Sequence, residues 1–254
     1  MDAAAEFVDV TKSYGERVAL RGFSLTVRAG EVLGLVGQNG AGKTTALKCL
    51  VGLHAPDSGT VRVDGVDVQR EPLEARRRLA FVPDGAPLYA NLSPKAHLAL
   101  VARLHGLDEA KLATESARLL DAFELADRGD DPVGAFSRGM RQKAALACAL
   151  IARPKLLVLD EPLEGLDAPT TSMVKELLRA WAARGGAVLY TSHLLDVVER
   201  VCDRIAVLAH GELVASGTLD ELRAGSGDTG TLEQVFRTLT HAEDPAAAAR
   251  RALG

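Results

Sequence analysis

The sequence predicts an α/β fold: a parallel sheet wound with helices, an antiparallel β subdomain at the N-terminal side, and a helical insertion. Three observations carry this. Strand-like apolar runs alternate with helix-like stretches over residues 32–50 and 155–191, the pattern of a doubly wound sheet. Hairpin signals crowd the first 70 residues. Residues 88–152, between the two halves of the alternation, read as a helical insertion.

Taken in order, residues 6–10 and 17–27 read as strands around a Tyr14-Gly15 turn. Residues 32–36 form a short apolar strand, and residues 46–52 are helix-like. Asp64-Gly65 between apolar runs 59–63 and 66–68 predicts a tight hairpin, because both turn positions require positive φ. Asp84-Gly85-Ala86-Pro87 reads as a loop. Ser93-Pro94 is an N-cap followed by proline in the first turn, opening a helical pattern that runs to about Arg128. A second helix starts near Ser137 and ends near Ala152. Residues 155–160 form a strand, 170–184 a helix and 187–191 another buried strand. His210-Gly211 between runs 205–209 and 212–215 predicts a second hairpin. Gly225-Ser226-Gly227-Asp228 reads as a linker, and residues 241–254 as a loosely structured tail. Residues 5–240 are expected to form one domain.

Composition narrows the function classes. The chain has 254 residues, 47% of them apolar and 25% charged, as in a soluble globular protein. A net charge of −4 argues against a broad nucleic-acid footprint, and no nucleic-acid partner is expected. The longest apolar run, 144–152, is too short to cross a bilayer. The N-terminus lacks the basic start and apolar core of a secretory signal. Cys49, Cys148 and Cys202 are widely spaced and read as buried, reduced thiols. Arg76-Arg77-Arg78 reads as a solvated helix face.

Gly37-Gln38-Asn39-Gly40-Ala41-Gly42-Lys43-Thr44-Thr45 follows a strand and opens a helix, the context of a phosphate-binding loop. Gly40 and Gly42 let backbone amides turn inward around a polyphosphate, and the helix N-terminus adds partial positive charge. Lys43 is placed to reach the β- and γ-phosphates and the Thr44 hydroxyl to coordinate Mg²⁺. A second constellation lies at the carboxyl end of the strand 156–160, where Asp160 and Glu161 emerge at the edge that binds ligands in open α/β sheets. Asp160 suits Mg²⁺, and Glu161 suits polarisation of an attacking water.

Read together, this loop, Asp160-Glu161, Phe136-Ser137-Arg138-Gly139-Met140, Gly165-Leu166-Asp167 and His193 resemble the ATP-binding-cassette (ABC) ATPases. The resemblance runs from residue 5 to about 240. It implies ATP and Mg²⁺ as ligands, with each site capped by the signature segment of a second subunit, most simply a second copy of this chain. Ser137 and Gly139 match the signature. Tyr14, 23 residues before Gly37, matches the aromatic that stacks on adenine. Glu161 matches the general base, His193 the switch histidine and Asp167 the loop that touches the opposite subunit. His54, His97, His105, His210 and His241 receive no role. The resemblance also implies a separate membrane permease as partner, and a cytoplasmic protein held peripherally on the inner face of the membrane.

Two departures from the family pattern stand out. Asp84 occupies the place of a glutamine that offers Mg²⁺ a neutral carbonyl; its charge strengthens a metal contact while repelling Glu161. Arg138 and Met140 replace Gly and Gln of the signature, a form found in export-type members. The C-terminal stretch 211–218 with 231–236 also resembles members that serve separate export permeases. Three alternatives stay open: a soluble ABC ATPase acting on ribosomes or DNA, a nucleotide binder that does not hydrolyse, and an importer ATPase. A single cassette, with 117 positions from Lys43 to Asp160, weighs against the first.

Overall fold

The computed structural model describes residues 2–163 and 165–240. The chain opens with two long antiparallel strands, β1 (Ala3–Tyr14) and β2 (Arg17–Arg28), then β3 (Val32–Val36) and α1 (Lys43–Leu50). A hairpin of β4 (Ser58–Val63) and β5 (Val66–Asp67) leads to α2 (Pro72–Arg78) and β6 (Leu79–Val82). The helical insertion holds α3 (Pro94–Leu104), α4 (Glu109–Ala122) and α5 (Arg138–Ile151). The core resumes with β7 (Leu156–Asp160), α6 (Ala168–Ala183), β8 (Ala187–Thr191), α7 (Leu195–Val201), β9 (Arg204–Ala209) and β10 (Glu212–Gly217). Helices α8 (Leu219–Ser226) and α9 (Leu232–Thr240) close the described chain.

Two sheets result. The antiparallel sheet has order β2-β1-β4-β5; the larger sheet has order β10-β9-β3-β8-β7-β6 and is parallel except for β10. Strand periodicity of two sorts its side chains into two cores. Leu33, Leu35, Leu156, Val158, Leu189 and Leu208 face the β subdomain and α1. Val32, Val36, Leu157, Leu159, Tyr190 and Val207 face the helical side. Both faces are thus covered, which is why these strands read as continuous apolar runs rather than as alternating ones. Each fully buried aliphatic side chain contributes about 1.5–3 kcal/mol.

Both predicted tight hairpins form. Asp64 and Gly65 have φ of 47° and 78°, His210 and Gly211 φ of 52° and 85°. Ser93 caps α3 by accepting the Ala96 N–H at 3.2 Å, with Pro94 in the first turn. The helix expected to run to about Arg128 is instead two helices. Gly106, at φ 70°, ends the first, and Asp108 caps the second by accepting the Ala110 N–H. Gly225 and Ser226 belong to α8 rather than to a linker, because Thr218 and Glu221 form a reciprocal capping box that starts a helix there. Gly227 terminates it in the left-handed region. The arginine triplet is also not simply solvated. Arg76 donates to the Gly52 carbonyl at 2.7 Å, and Arg78 pairs with Asp64 at 2.8 Å and with Glu74 at 3.0 Å. Arg76 and Arg77 are exposed, as the solvated reading has it, while Arg78 is half-buried in its ion pairs. The expected tail, 241–254, lies outside the described residues.

Candidate functional site

β3 runs into the glycine loop and α1 leaves it. The loop has little freedom to be anything but glycine. A Cβ on Gly37 would lie 2.5 Å from the Leu208 carbonyl oxygen, and one on Gly42 2.5 Å from that of Ala19. Gly42 also has φ 116° and is the N-cap of α1 with no side-chain cap, so the helix-start amides stay available to an anion. The loop is tied to the β9–β10 hairpin through the Gly211 N–H, which donates to the Ala41 carbonyl at 2.9 Å.

Beside the loop opens a cleft of about 510 Å³ lined by Gln38, Asn39, Gly40, Gly42, Lys43, Thr44 and Thr45, together with Tyr14, Arg17, Asp84, Asp160 and Glu161. Lys43 Nζ donates to the Gly37 carbonyl at 2.5 Å and to that of Gln38 at 3.3 Å. Burial lowers its pKa, opposed by the charges of Glu161 and Asp160. The ammonium is therefore held back in its own loop, within the field of two carboxylates. A polyphosphate entering the cleft offers it a better partner.

The carboxylates come from the end of β7. Thr191, fully buried at the end of β8, donates from Oγ1 to Asp160 Oδ1 at 2.5 Å and fixes that side chain. Glu161 follows with φ 49°, a left-handed conformation uncommon for a non-glycine residue. Its N–H donates to the Thr191 carbonyl at 3.1 Å. His193 Nδ1 lies 3.0 Å from Glu161 Oε2, and the His193 backbone N–H donates to the same oxygen at 3.3 Å. The β7–β8 pairing, Asp160 opposite Thr191, is what brings these groups together across 32 residues of chain.

Not every predicted residue lines the cleft. Gly37 and Ala41 form the loop's inner side, and His193 reaches the cleft through Glu161. Ser137, Gly139 and Asp167 are absent from the lining. Ser137 caps α5, accepting the Met140 N–H at 3.2 Å. Asp167 caps α6, accepting the Thr170 N–H at 2.8 Å; that contact with Thr170 holds its carboxyl below the usual range. Both helix starts adjoin: a Cβ on Gly139 would meet the Gly165 carbonyl at 3.3 Å.

Two residues escaped the sequence reading. Arg17 lines the cleft and donates to the Gly40 carbonyl at 3.4 Å. His54, given no role, is hydrogen-bonded through Nδ1 to the Tyr14 hydroxyl, its ring edge-on to the tyrosine at 5.5 Å. Tyr14 is 43% exposed and lies within 5.7 Å of Lys12 Nζ. No local signal marks either residue, since β1–β2 pairing and the end of α1 create both contacts. His97 is structural: its Nε2 accepts the Tyr89 N–H and its Nδ1 contacts the Ser93 carbonyl, both at 3.0 Å.

The donors that could hold a metal are all oxygens: the exposed Thr44 hydroxyl and the Asp160 and Asp84 carboxylates. That set fits a hard divalent cation such as Mg²⁺, which takes few protein ligands and completes its shell from phosphate and water.

Comparison with known proteins agrees with this geometry. The family model described as ABC transporter matches residues 20–164, more than half of the chain. The Nod factor export ATP-binding protein I of Sinorhizobium fredii is 39% identical over 85% of this chain, which spans only 63% of that relative's length. The daunorubicin/doxorubicin resistance ATP-binding protein of Streptomyces peucetius is 37% identical over 98% of this chain and 74% of its own. A solved ATP-binding subunit of an ABC transporter superposes with a TM-score of 0.89 at 33% identity, covering 93% of this chain and 99% of that one. A dimeric ATP-binding cassette in a post-hydrolysis state with ADP and Pi superposes at 0.78 and 25% identity, over 85% and 98% of the two chains. A glycine loop facing paired strand-end carboxylates, in a fold and sequence shared with these proteins, places the chain in the ABC transporter family.

Proposed function

We propose that this chain binds and hydrolyses ATP to energise export through a separate membrane permease. The observation that carries the reading is the shared cleft of the glycine loop, Lys43, Asp160 and Glu161. Tyr14 supports adenine, while the loop amides and Lys43 hold the phosphates. Thr44, Asp160 and Asp84 would hold Mg²⁺, which supplies charge neutralisation on the phosphate oxygens. Glu161 orients and deprotonates the attacking water. His193, against the same carboxylate, keeps it aimed at the γ-phosphate. Lys43 and the loop amides stabilise the charge that develops on the transferred group.

Ser137 and Gly139 lie outside the cleft of their own chain and serve the site of a second subunit, with Asp167 beside them. ATP is then sandwiched between two chains, most simply two copies. A groove of about 410 Å³ between β6 and the helical insertion, lined by Phe81, Pro83, Pro87, Leu88 and Val101, suits a permease segment. Among the described residues no helix is long and apolar enough to cross a membrane. This reading puts the chain on the cytoplasmic face. The names of its relatives, an export protein and a drug-resistance protein, favour export over import.

The test is Mg²⁺-dependent ATP hydrolysis by the purified protein beside Glu161→Gln, with dimerisation followed by light scattering. The expected result is turnover by the parent and at least about a 100-fold loss in the variant, which accumulates as an ATP-bound dimer. Unchanged turnover in Glu161→Gln would remove the assigned base.

A further inference from the structure

The two departures from the family pattern meet in space. Arg138 is the first residue of α5, in the helical insertion, and Asp84 lines the cleft. Arg138 Nη2 lies 3.6 Å from Asp84 Oδ1, with about half of each side chain exposed. The route of the arginine is built into the neighbouring loop. Gly165 has φ 77°, and a Cβ there would fall 2.9 Å from Arg138 Cδ, in the path of the side chain. Arg138 thus runs past Gly165 from the signature segment to the cleft edge of its own chain.

The charges around the cleft explain why such a strut matters. Asp84, Asp160 and Glu161 all face the space into which a polyanion must come, with Lys43 and Arg17 as the cations lining it. Asp84 meets the insertion through Arg138, and until a cation is bound its negative charge repels the incoming phosphates. The Arg138 guanidinium offsets part of that charge without entering the cleft lining.

We propose that Arg138 is a positioning residue for Asp84: it neutralises and orients this carboxylate, and so links a chain's own cleft to its signature segment. The inference rests on the ATP-binding reading above. In the two-subunit site described there, the segment that caps one nucleotide is tied by this pair to the edge of the other.

A double-mutant cycle tests it. ATP affinity is measured by calorimetry in the Glu161→Gln protein, alone and with Arg138→Gly, Asp84→Asn and both changes. ATP-dependent dimerisation is read in parallel. Arg138→Gly is expected to weaken ATP binding about two- to fivefold when Asp84 is present. In the Asp84→Asn background the same change should have a clearly smaller effect, and the dimerisation midpoint should follow. Equal losses in both backgrounds, or no loss in either, would overturn the pairing while leaving ATP binding established. Absence of ATP binding by the Glu161→Gln protein itself would overturn both readings. If Arg138→Gly lowers the melting temperature, Arg138→Gln replaces it, keeping the stem beside Gly165 while removing the charge.

Discussion

His193 Nδ1 sits 3.0 Å from Glu161 Oε2, and the His193 backbone N–H donates to the same oxygen at 3.3 Å. One carboxylate oxygen of Glu161, a residue of the cleft lining, thus receives both contacts from His193. Glu161 itself is largely buried, with 16% of its side chain exposed, whereas His193 is 54% exposed. His193→Ala removes the side-chain contact and keeps the backbone one. Steady-state kinetics should show a fall in kcat of at least about tenfold with little change in KM for ATP, because the imidazole aims the base rather than holding the nucleotide. A large rise in KM with kcat unchanged would instead make His193 a binding residue.

Thr191 has no opening to the cleft, yet its hydroxyl orients Asp160. Thr191→Val keeps the shape and deletes the hydrogen bond. Titration of ATPase activity with Mg²⁺ should then require about 10–100-fold more cation, as is usual when a partner behind a metal ligand is lost. An unchanged Mg²⁺ midpoint would separate Asp160 from the metal.

Gly42 needs its missing side chain twice over, for φ 116° and for the 2.5 Å approach of the Ala19 carbonyl. Gly42→Ala should abolish ATP binding measured by calorimetry and destabilise the free protein by about 1–3 kcal/mol in urea unfolding. Gly65→Ala is the control. That position has a similar backbone need at φ 78° but open space, so it should cost stability and leave binding intact.

The cysteines give a pH dependence with a definite sign. Burial pushes the Cys49 thiol up to about 11 and Cys148 up to about 12, and raises Cys202 as well. Unfolded thiols ionise near 8.5, so above that pH the unfolded state loses protons that the folded state keeps. Stability from these groups is complete below about pH 8.5 and falls as pH rises through the folded values, by roughly 1.4 kcal/mol per pH unit per thiol. Urea unfolding between pH 8 and 11 should show this loss, and Cys49→Ala with Cys148→Ala should flatten it. The same burial predicts slow alkylation of the folded protein at pH 7.

Much of this was legible in sequence because it is local. Both tight hairpins follow from two-residue turns whose chemistry admits few conformations. Ser93-Pro94 and Ser137 announce their helices by capping. The glycine loop needs only its own spacing and flanks. Where the reading slipped, the cause was again physical. A helical period ran on through Gly106 because periodicity does not register a single left-handed residue followed by a new cap. Gly225-Ser226 looked like a linker because glycine propensity was weighed without the Thr218–Glu221 box. Arg78 looked fully solvated because its acceptor, Asp64, lies 14 residues away.

By itself, then, the sequence determined the fold class, the strand order's raw material, the glycine loop between β3 and α1 and the identity of the two strand-end acids. Each depends on interactions within a few residues, where spacing alone dictates geometry. Only the tertiary structure decided which side chains act as pairs: Thr191 with Asp160, His193 with Glu161, His54 with Tyr14 and Arg138 with Asp84. Those contacts are set by the register of β7 on β8, by the packing of α1 beside β1 and by the docking of the helical insertion. Register and docking are products of the whole core, so no motif can encode them in one stretch of chain.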